Sequence, residues 1–417
     1  MTSDPRRFPP SQREAPLASM PKKLMILGAG PFQVPAIQKA VAMGVHVITL
    51  DYLPDNVGHR YSQHFVNCST VDMEGVLRAA TENRIDGICT FSSDVAIPAV
   101  AYVCERLRLP GASPVAAETM ATKHRFRAFL RNARLPCPRF LSGDDFEALF
   151  ADLTRLELPV VFKPVDTSGS RGVTRVDTYE RASAEQAFHK ARGFSRSRTV
   201  CVEEFVTGTE VGGDAILVDG RVDFIAITHK HLRGFVVTGH SLPTNISAED
   251  QGRVTQSIEA TCGALGYRTG PLNFDAIVSP GRVTLLEMSA RNGGNGIPAV
   301  IERATGVDVE QAAIALALGE RPRLPRTIEI RHGVGSYVFG SLRPGVLVRI
   351  ATPEELRRRV PEVFDVNFVK HLGDTIEPFE HNGNLIGFAL FACNDSAHYE
   401  RVTEKINEGL DIVIRDD

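Results

Sequence analysis

Two carboxylates, Asp275 and Glu287, flank the short apolar segments DAIV and VTLLE on either side of a Pro280-Gly281 turn. Strands joined by a tight turn lie side by side, so the two acids converge. Acids at the ends of apolar strands are costly without a cation, and oxygen donors of this kind suit magnesium, with manganese an alternative ion. Two separate edge-strand acids are the other way to read the same pattern. Just beyond lies Glu287-Met-Ser289-Ala-Arg291-Asn292-Gly293-Gly294, an arginine beside a glycine-rich turn.

Three further stretches carry chemistry. In Lys163-Pro-Val-Asp-Thr-Ser168-Gly169-Ser170-Arg171-Gly172, a lysine at a strand end precedes a loop of small hydroxyl residues and glycines. Such a loop can fold over phosphates, with Lys163 and Arg171 offsetting charge, or it can be a surface hairpin. About forty residues on, Glu203-Glu204-Phe205-Val206 and Glu210 offer a purine its acceptor, backbone edge contacts and a ribose-binding acid in turn. A solvated acidic strand end reads the same way. Thr228-His229-Lys230-His231-Leu232-Arg233-Gly234 is a dense basic cluster, with His240 just after it.

The elements that must position these residues divide into three regions. Residues 1–22 are proline-rich, lack apolar periodicity and an apolar signal core, and read as a disordered leader. From 23 to 119, apolar strands (KLMIL, VHVITL, DGICTF) alternate with 10–15-residue helices, which means βαβ units and a parallel sheet. From 120 to 325, basic and amphipathic helices mix with hairpin signals such as Asp219-Gly220, an α+β region with a small lobe at about 120–200 and a large lobe at about 201–325. Residues 326–417 alternate strands with one helix and read as a small C-terminal α+β unit.

Composition narrows the class. Forty-seven basic against fifty acidic residues leave a net charge of −3, which predicts no bulk attraction to nucleic acid or anionic lipid. The longest wholly apolar run, Val95–Cys104, contains Pro98 and falls far short of the roughly 20 residues a membrane span needs. Seven scattered cysteines without a CxxC predict thiols in a reducing, cytoplasmic setting, and Cys68, Cys89, Cys104, Cys201 and Cys262 read as small hydrophobes.

Gly28-Ala-Gly30-Pro-Phe-Gln33 follows the first strand, and Asp51 ends the second, as in a dinucleotide-binding turn. Gln33 stands where the third glycine would be, so the glycines read first as a structural turn; a nicotinamide-dependent oxidoreductase is the alternative they support. Gly-Lys occurs nowhere, so a P-loop is absent.

Taken in order, Lys123, the Lys163 loop, Glu203–Val206 with Glu210, Asp275, and Glu287 through Arg291 resemble the ATP-grasp superfamily, most closely its carboxylate–amine (L-amino-acid) ligase branch. The resemblance covers nearly all of residues 22–417. It implies a Rossmann-like preceding domain, an ATP-grasp fold of two α+β lobes and a small C-terminal unit. It implies ATP phosphates on Lys123, Lys163 and the lid Ser168–Gly172, adenine at Glu203 to Val206, ribose at Glu210, and magnesium on Asp275 and Glu287. The branch usually has Asn two positions after the second acid; this chain has Ser289, a smaller oxygen ligand, with Asn292 as a substitute. Arg291 falls where the branch steadies the acyl phosphate and the oxyanion, Lys230 or His231 near the γ-phosphate, and Arg233 near a substrate anion, with His240, Asn292, Gly293 and Gly294 around the substrate. The implied reaction is amide formation from a small carboxylate and an amine through an acyl phosphate, releasing ADP and phosphate. A bicarbonate, thiol or hydroxyl acceptor is the alternative within the superfamily, whose members also include dimers.

Overall fold

The computed structural model describes residues 20–325 and 328–416; most of the segment read as a leader lies outside them. Lys23–Leu27 (β1), His46–Asp51 (β2), His64–Asn67 (β3) and Gly87–Thr90 (β4) form a parallel sheet in the order β3-β2-β1-β4. β1, β2 and β4 are buried almost end to end, as strands with helices on both faces must be, which is why they read as continuous apolar runs. β3 (HFVN) is a largely exposed edge strand whose short run carries no such signature. The strand order reverses between β1 and β4, and the crevice at their carboxyl ends is where open α/β sheets place ligands.

The next sheet joins Phe140–Gly143 (β5), Val160–Pro164 (β6), Thr174–Val176 (β7) and Val200–Glu204 (β8), antiparallel in the order β5-β8-β6-β7. One face buries Val160, Phe162 and Val202 against Phe146 and Phe188 of the helices Phe146–Asp152 and Arg181–Phe194.

The central sheet begins with Thr209–Val218 (β9), Arg221–Arg233 (β10), Val236–Leu242 (β11), Gly270–Ser279 (β12), Arg282–Ser289 (β13) and Val334–Phe339 (β14). Alternation sorts its residues. Val211, Ala215 and Leu217 pack with Phe274 and Met288 against the helix Ala248–Leu265, while Ile216 and Val218 pack against the helix Ile297–Thr305. The tail adds Gly345–Arg349 (β15), Val363–Phe368 (β16), Thr375–Ile376 (β17), Gly387–Ala392 (β18) and Val413–Arg415 (β19).

The tail has its own apolar cluster around Phe339, Leu347, Phe391 and Ile406. It does not form a separate sheet at residue 326, however. β14, β18 and β16 complete an eight-stranded sheet in the order β13-β12-β9-β10-β11-β14-β18-β16, with Ser241 of β11 opposite Gly335 of β14. The free edge of β11 needs hydrogen-bonding partners, and the tail supplies them. Only β17, β15 and β19 make a small sheet of their own.

Candidate active site

Asp275 of β12 and Glu287 of β13 lie directly opposite each other. Their register depends on a bulge: Asp275 faces Glu287, but Ala276 faces Leu285, so Leu286 is the extra residue. Bulges re-aim side chains, and this one sets both carboxylates on the face that looks into a cleft of about 360 Å³. Gly212 of β9 faces Asp275 on the other side. A Cβ at residue 212 would lie 2.7 Å from Asp275 Oδ1 and 3.2 Å from His240 Cε1, so glycine is what lets the acid and the imidazole approach.

Each acid is paired with a lysine. Lys230 Nζ is 2.9 Å from Asp275 Oδ2 and 3.4 Å from Glu210 Oε2; Lys123 Nζ is 3.1 Å from Glu287 Oε1. Burial alone would lower both ammonium pKa values, but the facing acids outweigh it and hold both lysines charged, above their ordinary values. The carboxylates are 25% and 32% exposed, more open than the lysines that hold them. Two adjacent carboxylates reachable from a cleft fit a single magnesium or manganese ion whose other ligands are waters and phosphate oxygens. Ser289 does not join them. Its Oγ donates to Asp94 Oδ1 at 2.8 Å and it is buried outside the cleft lining. Among the described residues no group of three or more His, Cys, Asp or Glu converges.

A second charged knot lies beside the first. Glu203 of β8 accepts from Arg127 Nε at 2.8 Å and is also bound by Lys163 of β6. Arg127, wholly buried, donates through Nη2 to the carbonyl of the bulge residue Leu286 at 2.9 Å. Burial pushes the Glu203 carboxyl up, but Arg127 and Lys163 outweigh it and hold it down at about 2. Burial pulls the Lys163 ammonium down. Glu203 therefore lines the cleft with its carboxylate already engaged, whereas a free acceptor for a purine amine was expected there. Glu204 is engaged too, accepting from Arg139 Nε at 2.7 Å and from the amide of Glu157 at 2.8 Å.

Arg291, also in the cleft lining, is buried and bound through Nη2 to Asp94, which follows β4 of the first sheet. Burial pushes the Asp94 carboxyl up, but Arg291, with the hydroxyl of Ser289, holds it below its ordinary value. The turn after Arg291 hangs on Asp214 of β9. This fully buried carboxylate accepts from the Gly293 amide at 2.9 Å, Asn273 Nδ2 at 3.0 Å and Asn292 Nδ2 at 3.2 Å. Burial raises the Asp214 carboxyl to about 6 despite these donors.

The cleft gathers Lys123, Lys163, Ser168, Gly169, Ser170, Arg171, Glu203, Glu204, Phe205, Val206, Glu210, Lys230, His240, Asp275, Glu287, Arg291 and Gly294. Gly172, His231, Arg233, Ser289, Asn292 and Gly293 do not line it. Strand alternation decides between Lys230 and His231: Lys230 shares the face of Glu210 and His240, and His231 must take the other. There its ring stacks on Tyr399 and its Nε2 lies 2.9 Å from Ser241 Oγ, and burial holds it neutral, down at about 3. Arg233 is fastened to the Phe379 carbonyl and lies over the Phe379 ring. His240, 2.9 Å from Thr228 Oγ1, is likewise held down at about 3 by burial, so it meets the cleft as a neutral ring.

Sequence reasoning missed Arg127, Asp94 and Asp214, and the cleft-lining Phe32, Ser92, Asn382 and Gly383. Asp94, Ser92 and Phe32 follow β4 and β1, the pair where strand order reverses, so the crevice rule could have found them. The glycine turn that suggested a dinucleotide is closed by its own chain. Asp51 accepts from the amides of Ala29 and Leu53, and Gln33 Nε2 donates to the Phe91 carbonyl. Its acid is buried, with a backbone amide on each oxygen.

Residues 156–299, which include the loop, the two lysine–acid pairs except Lys123, and Arg291, match the ATP-grasp domain family. Over those residues the chain is similar to ATP-grasp domains. Across 96% of its length it superimposes on all of the L-amino acid ligase from Bacillus licheniformis, with a TM-score of 0.81 and 24% identity. It is 26% identical to the alanine–anticapsin ligase of Bacillus subtilis over 66% of this chain and 62% of that one. With human carnosine synthase 1 it shares 24% identity over 81% of this chain and 44% of that one. The chain thus spans 44% and 62% of the length of these two curated relatives. The resemblance to the carboxylate–amine ligase branch is borne out in these relatives, and the ATP-grasp architecture in the solved structure. No helix among the described residues is long and apolar enough to cross a membrane.

Proposed function

We propose that the chain is an ATP-dependent ligase that activates a small carboxylate as an acyl phosphate and passes the acyl group to an amine. The observation that carries this reading is a single cleft lined by the pairs Asp275–Lys230 and Glu287–Lys123, by Lys163, by the loop residues Ser168 to Arg171 and by Arg291. Phosphoryl transfer asks mainly for positioning and charge neutralisation, and the cleft supplies both without a protein nucleophile.

In this reading Glu203 keeps Lys163 aligned, and the backbone of Glu204 to Val206 meets the purine, with Glu210 on the ribose side. A divalent ion held by Asp275 and Glu287 supplies charge neutralisation on the phosphate oxygens. Lys230, held between Asp275 and Glu210, would face the γ-phosphate. A substrate carboxylate oxygen attacks the γ-phosphorus and ADP leaves. The amine nitrogen then attacks the acyl carbon, the oxyanion forms beside Arg291, and phosphate departs as the nitrogen loses a proton. The loop matters because water would otherwise hydrolyse the acyl phosphate.

Amino acids are the first acids and amines to try, a choice the names of the relatives support. The test is nucleotide release from ATP with magnesium against a panel of such pairs. ADP and phosphate formed only with a matching acid–amine pair is the expected result. Formation of AMP, or turnover that ignores the amine, overturns the reading.

A further inference from the structure

The cleft is completed by residues far outside the ATP-grasp match. Asn382 and Gly383 line it, although both come from the segment between β17 and β18. The Asn382 amide donates to the Gly169 carbonyl at 3.1 Å, which ties the tail to the middle of the phosphate loop. The Asn382 side chain is anchored in turn, its Nδ2 donating to the Val237 carbonyl of β11 at 2.8 Å. The turn is stiffened locally: the Gly383 amide donates to His381 Nδ1 at 3.1 Å, and Asn384 Nδ2 to the Pro378 carbonyl at 3.0 Å.

Two more contacts hold the loop and the tail together. The His381 ring meets the edge of Phe194, whose carbonyl accepts from Thr167 Oγ1 at the root of the loop. A Cβ at residue 383 would come within 2.8 Å of Arg171 Nη2, so Gly383 leaves room for the loop's arginine. Ser170 Oγ donates to the Phe235 carbonyl in the β10–β11 turn, and Arg233 of that hairpin binds the tail at Phe379. The loop bends through Gly169, Ser170 and Gly172, which all take positive φ, a course these contacts help to hold.

We propose that the turn His381–Gly383 is the seat on which the Ser168–Gly172 loop closes, with Asn382 and Gly383 as positioning residues for the reaction. This rests on the proposed function, in which the closed loop keeps water from the acyl phosphate. Losing the seat leaves nucleotide binding in place but lets the loop open during turnover, so activated acid is lost to water.

Two variants, Asn382→Ala and Gly383→Val, test it with two readouts. The first is tryptic cleavage after Arg171, followed by mass spectrometry, with and without magnesium and a non-hydrolysable ATP analogue. The second is the ratio of phosphate released to amide formed. We expect the analogue to protect the wild-type loop, and cleavage in its presence to be about fivefold faster in Asn382→Ala, as for one lost anchoring hydrogen bond. We expect more phosphate per amide in both variants, each still folded by circular dichroism. Wild-type protection and wild-type coupling in both variants overturn the seat while leaving the ligase reading intact. A wild-type loop that the analogue does not protect at all overturns both.

Discussion

Arg127 and Glu203 form a buried ion pair, 2.8 Å between Nε and Oε2, that joins the helix Lys123–Asn132 to strand β8. The same guanidinium holds the Leu286 carbonyl, the bulge that sets Glu287 opposite Asp275. One buried arginine therefore links Lys163, through Glu203, to the bulge that sets the register of the carboxylates. An arginine fork can make these bonds at once, which a lysine cannot.

Removing one partner of a buried pair leaves an uncompensated charge, which costs about 3–5 kcal/mol. Glu203→Gln is expected to lose stability in that range, read by chemical denaturation. Its carboxyl is held well below the usual carboxylate range, so its contribution is fully present above about pH 4.5 and is lost as pH falls toward about 2. The variant is expected to lack that part of the wild-type acid transition; an unchanged transition contradicts the ion-pair assignment.

Glu287→Gln and Asp275→Asn are each expected to abolish magnesium-dependent turnover while the fold survives, because both side chains are partly exposed at a cleft wall. Circular dichroism and a manganese-binding titration separate the two effects. Wild-type turnover in either variant removes its acid from the metal site.

Arg291→Ala is expected to lower kcat by about 10²–10³, the usual loss when a donor to a developing oxyanion is removed. ATP binding is expected to change little, since Arg291 is held by Asp94 of the first domain and not by the segment that carries Phe205 and Val206. A change confined to KM for ATP contradicts this placement.

Asp214 supplies the pH dependence. Burial raises its carboxyl to about 6, so the folded chain binds a proton there more readily than the unfolded chain does. Stability from this group therefore falls as pH rises from about 4 to about 6. Activity moves the opposite way. Below about pH 6 the protonated acid loses acceptor capacity for the Gly293 amide, and the Arg291 turn loosens. The pH profile of kcat/KM for the acid is expected to drop below that point, and Asp214→Asn to flatten the drop while lowering the plateau.

The ordered motifs and the fold class were legible in the chain because they depend on local pattern. Apolar runs separated by helices mark the first sheet, hairpin turns mark the central one, and the loop and the acids keep their spacing. Face assignment was half legible: the sequence marked the basic cluster, but only the register of β10 against β11 separates Lys230, in the cleft, from His231, stacked on Tyr399. Arg127 read as one more charge on a basic helix, since burial is a property of what packs on a helix and not of the helix. Asp94 and Asp214 had no motif, and Asn382 lay in a segment read as a separate unit. The sequence alone determined which chemistry the side chains can perform and in what order they come. The tertiary structure decided which of them meet, because a bulge at Leu286, a sheet continued by the tail and a buried arginine are set by pairing between strands distant in the chain.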